Sequence, residues 1–115
     1  MKRQGMVSVL VCCLILLCQA WPVLAQKRKI LYVDSYHPGY LWSAEITRGI
    51  QNILSQRSDI DLKIFRMDTK RNQSETHKKK AALTAKTLIE SWRPEVVITS
   101  DDNAARYLIL PYYRG

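Results

Sequence analysis

Lys29-Ile30-Leu31-Tyr32-Val33-Asp34-Ser35-Tyr36-His37-Pro38-Gly39-Tyr40-Leu41-Trp42-Ser43 is the stretch on which the reading of this chain turns. Ile30 to Val33 is a continuous apolar run, the pattern of a β-strand covered on both faces. The predicted strand is Lys29 to Asp34. Pro38-Gly39 then marks a turn, with Gly39 there for backbone conformation rather than chemistry. A helical period follows: Ile46, Ile50, Ile53 and Leu54 recur at helical spacing through about Gln56. Ser43 is expected to cap this helix and Glu45 to suit its dipole.

Two more strand–helix units continue the pattern downstream. In Ser58 to Met67, Ile60, Leu62 and Ile64 alternate with Asp61 and Lys63, which reads as a strand with one wetter face at a sheet edge. Thr69 to Gln73 is a polar loop. Ser74 is a good cap for a helix to about Trp92, with Ala85, Leu88, Ile89 and Trp92 as its buried stripe. Asn72-Gln73-Ser74 also matches a glycosylation acceptor, but capping explains Ser74 better. After Pro94, Glu95 to Thr99 is another apolar strand. Asp101 or Asp102 is expected to cap a last helix from Asn103 to about Leu110, stopped by Pro111.

Strand, helix, strand, helix, strand, helix implies a parallel sheet with right-handed crossovers. The expected fold is α/β, a three-layer parallel sheet of order 2-1-3. Strands 1 and 3 read as central, so a switch point lies between them. Loops at the carboxyl ends of strands form the ligand crevice in such sheets. That makes Ser35, Tyr36, His37, Tyr40 and Trp42 from the first loop candidate ligand-binding residues, with Ser100, Asp101, Asp102 and Asn103 from the second. The aromatics suit stacking on a ring or covering of the sheet. His37 suits hydrogen bonding to a carboxylate or to backbone. The aspartates suit an amine or a hydroxyl group, with one of them free to cap. Asp34 reads as a residue that orders the His37 loop.

Upstream lies a targeting segment. Lys2 and Arg3 precede the apolar run Met6 to Cys18, and Val23-Leu24-Ala25 presents small residues to a signal peptidase. Residues 1–25 therefore read as a signal peptide, cleaved after Ala25. The run is about 13 residues, short of the roughly 20 that a spanning helix needs. An uncleaved membrane anchor is the weaker reading. Cys12, Cys13 and Cys18 all lie in this segment. Residues 26–115 thus lack a disulfide framework, a thiolate metal site and a cysteine nucleophile. A secreted, cysteine-free domain fits a periplasmic location. Lys2 and Arg3 are the segment's charges, so residues 26–115 keep +6 of the formal +8. That charge is spread out apart from Lys27-Arg28-Lys29 and Lys78-Lys79-Lys80, and export argues against nucleic acid as a partner.

Enzyme motifs are lacking. The sequence holds no Gly-rich phosphate loop, nucleophile elbow or His-Glu-x-x-His motif. Receiver-type phosphotransfer needs an acidic pair after strand 1, where only Asp34 stands. A haloacid-dehalogenase-type hydrolase needs a second Asp where Tyr36 stands. A secreted hydrolase built on Asp34, His37 and Asp101 is the least favoured reading. A metal site from His37, Asp101 and Asp102 lacks diagnostic spacing. The expectation is a non-enzyme without metal or cofactor.

The run from Lys29 to Tyr40, then Trp42-Ser43 and Arg48-Gly49-Ile50, resembles the start of ABC-transporter substrate-binding proteins of the type 1 periplasmic-binding fold. It is similar too to periplasmic sensor domains of histidine kinases and diguanylate cyclases. Pro94 to Ala104 matches the same group. The resemblance implies a partial lobe over 26–115, the first third of a two-lobed protein. It implies a small-molecule ligand and, in a complete protein, an ABC permease or a signalling module as partner. The chain stops just past a helix at Tyr112-Tyr113-Arg114-Gly115, so the expectation is an N-terminal fragment, marginally stable because strand 3 lacks a neighbour.

Overall fold

The computed structural model describes residues 25–115; the expected signal peptide falls, apart from Ala25, outside the described residues. Three parallel strands, β1 (Arg28–Asp34), β2 (Ile60–Arg66) and β3 (Val96–Ser100), form one sheet in the order β2-β1-β3. The α/β class and the 2-1-3 order are as expected. The register sets Asp34 beside Arg66 on one side and beside Ser100 on the other. All three strands therefore end at one level, and their following loops share one crest.

Helix α1 (Leu41–Leu54) joins β1 to β2, and α2 (Glu75–Trp92) joins β2 to β3. Right-handed crossovers in opposite directions put these helices on opposite faces of the sheet. On the α2 face, Leu31 and Val33 of β1 pack with Ala81, Ala82 and Ala85. Alanines let that helix sit close to the sheet, and Leu88, Ile89 and Trp92 extend the stripe as the helical period predicts. Ser74 caps α2 by accepting from the His77 backbone N–H at 3.2 Å. On the other face, Ser43 and Thr47 of α1 are buried, and Ile50, Ile53 and Leu54 border Ile98.

Four local expectations are corrected. The first helix starts at Leu41, with Tyr40 as an N-cap that makes no side-chain bond. Ser43 is not its cap, because its hydroxyl is drawn inward to Asp34. The last helix likewise begins earlier: α3 (Asp101–Ala104) follows an N-cap at Ser100, and neither Asp101 nor Asp102 caps it. It runs on through a π-helical turn (Ala105–Ile109) into α4 (Leu110–Tyr112), so Pro111 does not stop it. Near the end of a helix the missing proline N–H is tolerable where the register has already slipped, and Tyr113 N–H still reaches Ile109. β3, which reads as a central strand, is the second edge of this sheet, with Val96 49% exposed.

Candidate functional site

The crest is built in two levels. The lower one is a buried polar lattice. Asp34 closes β1 with no exposed surface, and its Oδ1 accepts from Tyr36 N–H at 3.0 Å and from the Ser43 hydroxyl at 2.8 Å. One carboxylate thus ties the first loop to α1, in keeping with its reading as a loop-ordering residue. Its other oxygen has no hydrogen-bond partner, with Arg66 Nε at 3.5 Å. Ser35 is fully buried. Its hydroxyl donates to Ser100 C=O at 2.7 Å and accepts from Ala104 N–H at 2.8 Å. This stitches the loop after β1 to the loop after β3. Thr69 adds the loop after β2, donating to Ser35 C=O at 2.6 Å and accepting from Asn103 at 2.8 Å. Tyr32 and Ser100 complete the lattice through their hydroxyls at 2.8 Å.

Above it lies an open rim. Tyr36 and Tyr40 meet edge to face with centroids 5.1 Å apart, and His37 tilts against Tyr40 at 6.2 Å. A Cβ on Gly39 would press the His37 ring at 3.3 Å, so glycine there gives the ring its place. Trp42 is 60% exposed. Tyr36 OH donates to Asp102 Oδ1 at 3.3 Å, bridging the two loops. Burial, with the charges of Asp101 and Asp102, pushes the Tyr36 phenol up to about 12, so it stays a donor at neutral pH.

Asp101 is the strained member. Its φ is 67°, a left-handed conformation that is uncommon in a residue other than glycine. Burial pushes its carboxyl up, and the charges of Asp34 and Asp102 add to that, while the Trp42 and Ser100 side chains pull the other way. Its Oδ2 is buried without a partner.

The nine candidate residues are thus all at the crest, but at different levels. Ser35 and Ser100 are bonded into the lattice, and Asn103 is half-buried with its amide on Thr69. Tyr36, His37, Tyr40, Trp42, Asp101 and Asp102 form the rim around them. No hydrogen bond joins His37 to Asp34 or Asp101 among the described residues, and no cluster of three metal-ligating side chains occurs among them.

Sequence reasoning missed the contribution of the loop after β2. Lys70 lies over the faces of Tyr36 and Tyr40, its ammonium 5.2 and 4.9 Å from the ring centroids. The signal was present: Thr69 to Gln73 also follows a carboxyl strand end, but reading β2 as an edge directed attention to the other two loops. Arg106 was missed as well, although it stands four residues after Asp102, a spacing that keeps side chains on one side of a helix.

No family model matches the chain, and no curated protein or solved structure matches it.

Proposed function

We propose that this crest captures a small solute, in the periplasm, as part of a binding protein that serves an ABC-type importer. The observation that supports the reading most is the convergence of the loops after β1 and β3 over the switch point, tied by Ser35 below and left open at Tyr36, Tyr40 and Trp42 above. A few placed polar groups beside aromatic walls are what solute recognition requires. The type 1 periplasmic-binding resemblance adds that such a crest forms one wall of a cleft closed by a second lobe. The same geometry serves a sensor domain, and the partner of the complete protein distinguishes the two roles.

The test is intrinsic fluorescence of the full chain against a panel of amino acids, sugars, dicarboxylates and nucleosides. A saturable change that disappears in Trp42→Phe supports capture at the crest. If no solute alters Trp42 emission or the melting temperature, the reading fails. N-terminal sequencing of protein from the periplasmic fraction, expected to begin at Gln26, tests the location.

A further inference from the structure

We infer that the cavity between the loop after β2 and the C-terminal helical segment is an anion subsite, holding a carboxylate or phosphate group of the captured solute. The inference rests on the solute-capture reading and gives the solute a charge. The cavity is about 250 Å³, and every residue lining it carries a polar side-chain atom. Three cations, Lys70, Lys78 and Arg106, border it, against the single carboxylate of Asp102.

Their engagement differs. Lys78 is 3.3 Å from Glu75, whose carboxylate also receives the Tyr107 hydroxyl. Asp102 accepts from Tyr36. Lys70 and Arg106 make no salt bridge among the described residues. Nearby Asp68 does not neutralise Lys70, because Arg71 takes both of its oxygens, at 2.8 and 2.7 Å. Two cations without a carboxylate partner among the described residues thus border a polar hollow in which an oxyanion could accept from both.

The framework around them is fixed. Tyr36 and Tyr40 hold Lys70 at the rim through their ring faces. Arg106 sits in the π-helical turn, and such a widening re-aims side chains and is frequent at functional sites. Asn103 spends one amide N–H on Thr69 and retains the other. A guanidinium with an ammonium and an amide is a donor set suited to carboxylate or phosphate oxygens.

The probes are inorganic phosphate and succinate, titrated into the full chain at constant ionic strength and followed by backbone amide NMR shifts, with chloride as the reference. Saturable shifts at Lys70, Asn103 and Arg106 are expected. They should weaken at least about tenfold in Lys70→Gln/Arg106→Gln, as loss of charge-assisted bonds requires. Both residues are exposed, so the double variant should keep the wild-type circular dichroism. Saturation by phosphate alone identifies a phosphorylated solute, and by succinate alone a carboxylate. Shifts no different from those with chloride, or saturation unchanged in the double variant, overturn the inference. A Trp42 response to uncharged solutes under those conditions would leave solute capture standing without the anion subsite.

Discussion

The lower and upper levels of the crest use similar residue types to opposite ends. Asp34, Ser35, Ser43 and Thr69 are buried, and each makes at least one side-chain hydrogen bond to another part of the chain. One residue beyond Ser35 and Thr69, Tyr36 and Lys70 are half-buried or exposed, as is Asp102 two residues beyond Ser100, and they bridge loops only weakly. The lower level holds three loops in one arrangement. The upper level retains the unspent donors, ring faces and carboxylate oxygens that a ligand needs. Polarity alone thus does not mark a site; the level at which a polar group sits does.

The largest effect that this division predicts is on stability below the rim. Asp34→Ala leaves the Tyr36 N–H and the Ser43 hydroxyl without their acceptor and strips Arg66 of its neighbouring carboxylate. A loss of about 3 kcal/mol is expected, measured by urea unfolding. A loss under about 1 kcal/mol would mean that the lower level is no framework. Ser35→Ala comes next. It orphans the buried Ala104 N–H and should cost about 2 kcal/mol. Since Ser35 touches no open space, ligand affinity should fall only in proportion to the population that unfolds. A variant of native stability with abolished binding would move Ser35 to the upper level.

The smallest effect is a gain. The Asp101 carboxyl is raised in the folded chain by burial and by its acidic neighbours, so the native state holds that proton more tightly than the unfolded one. Below the ordinary value of 3.8 the group is protonated in both states and contributes nothing. As pH climbs from there through the raised value, stability is lost, and ionised Asp101 opposes folding at neutral pH. Asn cannot ionise and tolerates the left-handed backbone. Asp101→Asn should therefore melt higher than wild type at pH 7, with the difference closing in acid. Equal melting temperatures throughout would show that the carboxyl is not strained electrostatically.

Much of this was legible in the sequence. Apolar runs at Ile30–Val33 and Glu95–Thr99, and the alternation through Ile60–Ile64, place the strands, and the edge character of that alternating strand supplies the order 2-1-3. Asp34 is legible as a loop-ordering residue because it stands where strand polarity changes. The level of Ser35 is not, since a serine after a strand reads alike whether its hydroxyl turns in or out. Ser43 misleads for a related reason: it sits where a cap belongs, and a buried carboxylate outcompetes the capping role. The passage through Pro111 depends on the π-register, which no spacing announces.

The first strand to be made is the middle strand of the sheet. β1 cannot be flanked until the chain has extended through Ser100, and Tyr32 and Ser100 meet across 68 positions of sequence. Closing such separations is an entropic cost met before the contacts reward it, so nucleation should be non-local and slow beside that of a helical bundle of equal length. A nascent chain holding β1 and β2 alone exposes one flank of the apolar Ile30–Val33 run. Until β3 joins, that flank of the most apolar strand stays open, so the third strand to emerge is the one that closes the centre of the sheet.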